Sequence, residues 1–144
     1  MNIGERIKYV RKLRGMKQEE LAGKIGLTAD ENGRTRISQY ENGKRTPKKD
    51  MLEKISEVLN VKSLYLSNKE HTSALDFVFT LFEYDNDIPI TVKKEHERYL
   101  LDLDNCIFDD FFEEWMQKKT DLKNGKISKE QYIEWKLNYT GKES

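Results

Sequence analysis

The chain has 144 residues and a mass of 17.1 kDa, which gives room for one ordinary domain or for two small domains with modest cores. Charged and apolar residues each make up 36% of the sequence, and the apolar residues recur at regular spacings, which excludes a disordered chain. The net charge is zero, but residues 1–67 contain 15 Lys and Arg against 9 Asp and Glu, whereas residues 68–144 contain 11 against 17. The first half thus has a charge of +6 and the second half a charge of −6. This division indicates that the basic half binds nucleic acid and that the acidic half is repelled by it.

The N-terminus and the cysteine content indicate the compartment. The segment MNIGERIKYV lacks the apolar core of a signal peptide, and the longest apolar stretch, near Leu75 to Phe82, is too short to span a bilayer. Cys106 is the only cysteine, so neither an intrachain disulfide nor a zinc cluster of thiolates can form. We therefore expect a soluble cytoplasmic protein that does not contact a membrane.

Two helices are predicted at the start of the basic half. Apolar residues recur at i, i+4, i+7 and i+10 from Ile3, which is the pattern of a one-faced amphipathic helix that Gly15 ends. A second helix is expected from Gln18 to Ile25, followed by Gly26 at a position suited to a left-handed turn.

The next helix is predicted by helix-turn-helix geometry. Ala22 is small enough for two helices to cross closely, and Gly26 reverses the chain four residues later. The second helix of such a pair begins near Arg34 and is held to the core by Ile37 and Tyr40. A helix this short and polar is suited to enter a major groove and read base edges. Its outward residues are Arg34, Thr35, Ser38 and Gln39.

The basic half ends with two more predicted helices. Thr46 is expected to be the N-cap and Pro47 the first residue of the fourth helix, which Asn60 ends. Ser63 is expected to cap a last short turn. Five short helices and no strand pattern predict a compact helical domain.

The N-terminal 66 residues resemble the Cro/C1-type (XRE) helix-turn-helix family of repressors. Two motifs carry the resemblance, KQEELAGKIG at residues 17–26 and ISQYENGKRTP at residues 37–47. The resemblance implies a lambda-repressor-like fold in which Arg11 pairs with Glu41 beneath the motif. It implies that bases are contacted by Arg34, Thr35, Ser38 and Gln39. It also implies that phosphates are held by Gln18, Asn42, Lys44 and Arg45.

One segment departs from the family pattern. Nine residues, TADENGRTR, separate Leu27 from Ile37, more than the family usually has, and they predict an enlarged turn. We expect Asp30 and Glu31 to point away from DNA and residues 32–33 to turn the chain back. The insertion leaves open whether its last three residues enter the groove or contact the backbone, and Arg36 is assigned to phosphate.

The acidic half predicts a small α+β unit. It is expected to contain a helix, a β-hairpin and two further helices, the last opened by a capping box of Ser128 and Gln131. The first helix, at residues 74–83, should bury Leu75, Val78, Phe79 and Phe82. The strands of the hairpin are predicted at residues 88–94 and 97–103. The helix after the hairpin is predicted to begin near Phe108 and to end near Asn124.

Several patterns that could carry chemistry are better explained as structure. The segment DNDIPITVKKEH begins like a calcium loop, but Pro89 occupies the third ligand position and the central glycine is missing. His71 and His96 lack the spacing of a helical metal pair. The cluster of Asp109, Asp110, Glu113 and Glu114 reads as the solvated side of a helix. No nucleotide-binding or nucleophile motif is present, so we expect no metal, no cofactor and no enzyme activity.

The predicted function is a sequence-specific transcriptional regulator. Residues 1–67 are assigned to DNA binding and residues 68–144, rich in Phe, Trp and Tyr, to dimerisation or regulation. A homodimer would place two such domains on half-sites about 34 Å apart, and we expect a repressor of a pseudo-palindromic operator. The alternative is an antitoxin-like or regulatory module that binds a protein partner, with DNA binding secondary. The alternative to dimerisation is that the aromatic residues of residues 68–144 only fill their own core.

Overall fold

The computed structural model describes residues 1–68, 73–103 and 106–141. The chain divides into two compact units, Met1–Glu70 and His71–Ser144. None of the described helices is long and apolar enough to cross a membrane.

The first unit is built from five helices around one apolar core. The core side chains Ile7, Leu21, Ile37, Ile55 and Leu66 are fully buried and come one from each helix. Each helix is too short to be stable alone, so packing of its apolar face stabilises it. The helices are α1 (Ile3–Leu13), α2 (Gln18–Lys24), α3 (Glu31–Glu41), α4 (Lys49–Leu59) and α5 (Ser63–Ser67).

The ends of these helices follow local rules at most positions. Asn2 caps α1 in a reciprocal capping box with Glu5. Gly15 and Gly26, which follow α1 and α2, have positive φ angles, and Asn60 ends α4 in the left-handed conformation.

The predicted starts of α4 and α5 are wrong by one or two residues. Lys48 is the N-cap of α4, and Pro47, predicted as its first residue, is buried in the preceding loop beside α1. Packing of this proline against the core therefore overrides its preference for the first turn of a helix. Lys62 is the N-cap of α5, and Ser63 is its first residue.

The predicted start of the third helix is also wrong. Helix α3 begins at Glu31, so the segment predicted as an enlarged turn forms an added first turn of this helix. Asp30 is its N-cap, because the carboxylate accepts hydrogen bonds from the N–H groups of Asn32 (2.9 Å) and Gly33 (3.2 Å). Asn32 and Gly33 thus do not turn the chain back.

The second unit contains a helix, a two-stranded antiparallel sheet and a pair of helices. The strands pair from Ile90 with Leu103 to Glu95 with Arg98. His96 and Glu97 connect them with two positive φ angles, as in a type I′ turn. The elements are α6 (Ala74–Asp87), β1 (Ile90–Glu95), β2 (Arg98–Leu103), α7 (Cys106–Lys123) and α8 (Lys129–Leu137).

Helices α7 and α8 are joined by aromatic and polar contacts. The indole N–H of Trp115 donates to the hydroxyl of Tyr132 (2.8 Å), and that of Trp135 donates to the carboxylate of Glu114 (2.5 Å). Phe111 of α7 packs against Tyr139, which follows α8, with ring centroids 5.1 Å apart. The predicted capping box of α8 is confirmed, with Ser128 and Gln131 bonded to each other's backbone.

The burial predicted for α6 is wrong. Leu75, Phe79 and Phe82 are 60%, 55% and 61% exposed, and none of the residues of α6 is buried. Val78 is also exposed. Among the side chains described in the second unit, only Leu137 of α8 is buried, with 3% of its surface exposed. The apolar residues of α6 therefore lack the cover that the sequence pattern predicts.

The fold class is the predicted one. Five helices form the first unit, and a helix, a hairpin and two helices form the second. The chain is thus mainly α, with a helical domain followed by a small α+β unit.

Candidate nucleic-acid interface

Helices α2 and α3 pack closely against each other. A Cβ atom built on Gly33 would lie 2.9 Å from the Cβ of Ala22 and 1.8 Å from the carbonyl oxygen of Thr28. Both helices therefore need a small residue where they approach, which is the geometry of a helix-turn-helix. The sequence predicted this role for Ala22 but not for Gly33.

The residues predicted to read bases lie together on the outer side of α3. Arg34 and Thr35 are exposed, and Ser38 and Gln39 are half-buried at the edge of the same face. The opposite side of the helix is buried through Gly33, Ile37, Tyr40 and Glu41. Helix α3 thus presents one polar face that is free to meet a ligand.

Arg36 occupies a different position on α3. It is half-buried, and it lies two residues, about 200° around the helix, from Arg34. The two arginines therefore flank opposite sides of the polar face, which suits the assignment of Arg36 to a phosphate rather than to a base.

Glu31, which the sequence placed in an enlarged turn and which was expected to point away from DNA, extends the polar face of α3 by one turn. Arg34, Thr35 and Ser38 follow Glu31 at spacings of three, four and seven residues, so the four side chains lie on the same side of the helix. The carboxylate of Glu31 accepts two hydrogen bonds from Arg34, 2.8 Å from Nε and 2.5 Å from Nη2. The bond from the guanidinium lowers the pKa of Glu31 and raises that of Arg34. The signal in the sequence was an N-cap residue, Asp30, followed by an acid and a base three residues apart.

A buried polar network ties α1 and α2 to the end of α3. Arg11 Nε lies 2.5 Å from Glu41 Oε1, and Arg11 Nη2 lies 3.1 Å from Oε2. Their side chains are 9% and 1% exposed, so this pair is shielded from water. Gln18 Nε2 donates to the same carboxylate (2.7 Å), and Arg11 also donates to the carbonyl of Met16 (2.6 Å).

The loop after α3 carries the other residues predicted to hold phosphates. Asn42, Lys44 and Arg45 are exposed, and the amide of Asn42 donates to the hydroxyl of Ser38 (3.2 Å). The backbone N–H of Arg45 bonds the carbonyl of Gln39 (3.2 Å), which fixes the loop to the last turn of the helix. Gln18 is set apart, because its side chain is half-buried on Glu41.

Three of the basic residues of this unit have structural partners. Arg6 donates to the carbonyl oxygens of Leu66 and Asn68, and Arg14 donates to that of Leu59 (2.8 Å). Together with Arg11, these side chains tie α1 to other parts of the unit. These three arginines therefore serve the fold, whereas Lys44 and Arg45 of the loop after α3 have exposed side chains.

The second unit has an apolar cleft. Its volume is about 380 Å³, and its lining residues come from α6, both strands and α7. They include Phe77, Leu81, Tyr84, Ile90, Leu101 and Phe112. Within the described ranges, no cluster of three or more His, Cys, Asp or Glu side chains is arranged to hold a metal ion.

The family model that this chain matches lies in the first unit. Residues 7–66 match the family model described as helix-turn-helix. The HTH-type transcriptional regulator ImmR of Bacillus subtilis (strain 168) is 36% identical over 73 residues, which are 51% of this chain and 54% of ImmR. The chain thus spans about half the length of this curated relative.

Two solved structures are also similar. One is the P22 c2 repressor in complex with synthetic operator 9T, at 27% identity and a TM-score of 0.43, covering 49% of this chain and 98% of the repressor. The other is the SinR/SinI complex, at 26% identity and a TM-score of 0.42, covering 85% of this chain and 98% of the matched one.

Proposed function

We propose that residues 7–66 belong to the Cro/C1-type helix-turn-helix family, which the sequence motifs resemble. On this premise, we propose that the chain is a sequence-specific DNA-binding transcriptional regulator. The observation that carries the proposal is the polar face of α3, held outward by the contact of Ala22 with Gly33 and bordered by the basic loop at residues 42–45. A helix of this kind fits a major groove, and the loop beside it can neutralise phosphates. The relative ImmR, named as a transcriptional regulator, supports the same reading.

We assign the polar residues two roles. The base-reading residues are Arg34, Thr35, Ser38 and Gln39, which share the outer face of α3. The phosphate-binding residues are Gln18, Arg36, Asn42, Lys44 and Arg45. The side-chain amide of Gln18 donates one N–H to Glu41 and keeps its second N–H for a DNA phosphate. Gln18 can therefore stabilise the buried ion pair and contact the DNA backbone at the same time.

The second unit is proposed to form a homodimer. Its helix α6 exposes Leu75, Phe79 and Phe82 by more than half, and an apolar cleft lies between α6, the sheet and α7. Contiguous apolar surface of this kind marks interaction sites. A second copy is the expected occupant, because specificity rises when a two-fold dimer engages two half-sites about 34 Å apart.

A dimer bound to a pseudo-palindromic operator in the cytoplasm would block access to a promoter, so we propose repression. The alternative is a protein partner of different sequence that covers α6, as in an antitoxin or regulatory complex. The exposed apolar face of α6 is compatible with both occupants, and an experiment must separate them.

The DNA-binding proposal is tested by selection from a randomised duplex library. The purified full chain is expected to enrich a pseudo-palindromic motif with half-sites about one helical turn apart. A library that returns no enriched sequence would overturn the proposal.

The dimer is tested by the mass of the protein in solution. Wild type should sediment as a dimer, and Phe82→Asp should sediment as a monomer that is still folded by circular dichroism. Leu64→Asp is the matched control, because Leu64 is 76% exposed but lies in the first unit. A monomeric wild type that co-purifies from its host with a stoichiometric partner would favour the alternative.

A further inference from the structure

We infer that Glu31 positions Arg34 to read a guanine, so that the added turn of α3 contributes to operator specificity. The inference rests on the proposed function, and it concerns a residue that the sequence had placed in a loop pointing away from DNA. Glu31 is here a positioning residue, and Arg34 is the group that touches the base.

The geometry of the pair leaves the correct edge of Arg34 available. Glu31 accepts from Nε and from one N–H of Nη2, which is the side edge of the planar guanidinium. The end edge, with one N–H of Nη1 and the second N–H of Nη2, points away from that carboxylate. Two parallel donors on such an edge match the O6 and N7 acceptors of guanine in the major groove.

The added turn is held rigidly where it must act. Asp30 caps the turn through the N–H groups of Asn32 and Gly33, and Thr28 donates to the same carboxylate (2.7 Å). Gly33 packs against the Thr28 carbonyl and Ala22. The N-terminal residues of a recognition helix are the ones that contact base edges, so Glu31 and Arg34 lie at its reading end.

Electrostatics favour a base over a phosphate as the target of Arg34. The carboxylate of Glu31 is repelled by the DNA backbone, and the pair as a whole carries no net charge. A pair without net charge therefore contributes little to the affinity for DNA of random sequence. When it enters the groove it loses water, and a base without two acceptors would leave the free N–H groups of Arg34 unpaired. The pair therefore disfavours wrong sequences more than it strengthens binding to all of them.

Two variants test the inference in the full chain, with the randomised duplex library as probe. Arg34→Lys keeps the charge but cannot make the bidentate contact, so a guanine preference at one position of each half-site should fall roughly 5- to 100-fold. Glu31→Gln should weaken the preference at the same position by a smaller factor. Glu31→Gln should also tighten binding to a duplex of random sequence and steepen its salt dependence by about one unit of slope, because Arg34 is then free to bind phosphate.

The control is Glu57→Gln, which makes the same change of charge at an exposed position of α4. It should leave the base preference at every position as in wild type. All the substituted side chains are exposed, so circular dichroism melts should coincide with that of wild type.

The outcomes separate this inference from the proposed function. If wild type enriches a motif and Glu31→Gln enriches it with the same guanine preference, Glu31 has no positioning role. If Arg34→Lys weakens all duplexes equally, Arg34 binds phosphate and the inference is wrong. Loss of a cytosine preference in Glu31→Gln alone would mean that the carboxylate reads a base itself, which also overturns it. If wild type enriches no motif, the proposed function and this inference fail together.

Discussion

Two ion pairs of the first unit have the same chemistry but opposite energetic roles. Arg11 and Glu41 are buried together, so removal of one would leave the other charged and without a partner in a medium of low dielectric constant. Glu31 and Arg34 are exposed, and water and salt screen their attraction. The first pair therefore stabilises the fold, whereas the second is available for recognition.

Glu41→Ala should destabilise the protein by roughly 3–5 kcal/mol, because both Arg11 and Gln18 lose their buried acceptor. A small domain has only about 5–15 kcal/mol of stability, so the melting temperature should fall clearly. The measurement is thermal unfolding of the full chain by circular dichroism.

The matched control is the double variant Arg11→Met with Glu41→Leu, which removes both charges and keeps apolar volume. It should recover much of the lost stability. A Glu41→Ala protein that melts like wild type yet loses binding to the enriched duplex would place Glu41 in the DNA interface instead.

Lys44→Ala should weaken binding to all duplexes about equally and lower the slope of log affinity against log salt by about one, because one phosphate contact is lost. The measurement is a titration of the enriched duplex and a random duplex at several salt concentrations. Lys54→Ala removes the same charge from α4 and should change neither slope. A loss confined to the enriched duplex would reassign Lys44 to base reading.

At the scale of elements, α3 is longer than the sequence indicated because local capping and one close contact act together. Asp30 provides the cap, and Gly33 lets the added turn lie against Thr28 and Ala22. The helix therefore begins one turn earlier, and the polar face gains Glu31.

Gly33→Ala should destabilise the protein although Ala is the better helix former by about 1 kcal/mol. The new Cβ would lie 1.8 Å from a backbone oxygen that cannot rotate away, and relief of such overpacking costs roughly 1–3 kcal/mol or more. Chemical denaturation measures the loss. Asn32→Ala, at the exposed neighbouring position, should be close to neutral, and an equal effect of both variants would contradict the packing argument.

The cap of α3 should be sensitive to acid. The hydrogen bond from Thr28, with those from Gly33 and Asn32, lowers the pKa of Asp30 below its ordinary value of 3.8. Because the folded pKa is the lower one, the carboxylate contributes stability above about pH 3.8, and this contribution is lost as the pH falls through the folded value.

Asp30→Asn keeps a capping oxygen without the charge. Wild type should melt a few degrees above Asp30→Asn at pH 7, and the difference should close below about pH 3.8. Melting curves of the two proteins across that range measure it. A difference that does not change with pH would exclude the ionised cap.

At the scale of the whole molecule, the two units divide the charge and the proposed tasks. The first combines a well-buried core with exposed polar and basic residues, whereas the second leaves much of its apolar surface exposed. This contrast is the physical reason to assign DNA binding to one unit and association to the other.

Removal of the second unit should weaken binding to a two-site duplex, because the fragment would engage one half-site at a time instead of two. A fragment of residues 1–67 should bind the enriched duplex roughly 10²- to 10⁴-fold more weakly than the full chain, because the second half-site is no longer engaged within one complex. Binding to a duplex with a single half-site should change much less. Equal affinity of fragment and full chain for the two-site duplex would mean that dimerisation does not support binding.

Elements whose signals are local could be predicted from the sequence alone. The capping box at Ser128, the end of α4 at Asn60 and the hairpin all depend on residues that are close together in the sequence. The motif residues also carry the resemblance to the helix-turn-helix family, because they include both the small residue Ala22 and the anchors Ile37 and Tyr40.

Tertiary structure decided the features that depend on distant neighbours. Gly33 is in a helix because Ala22 and the Thr28 carbonyl lie against it, and Pro47 precedes α4 because its ring is buried beside α1. The apolar residues of α6 have the spacing of a buried face, but periodicity predicts only which side of a helix is apolar. Whether that side is covered depends on what the rest of the fold places against it, and here Phe82 remains exposed.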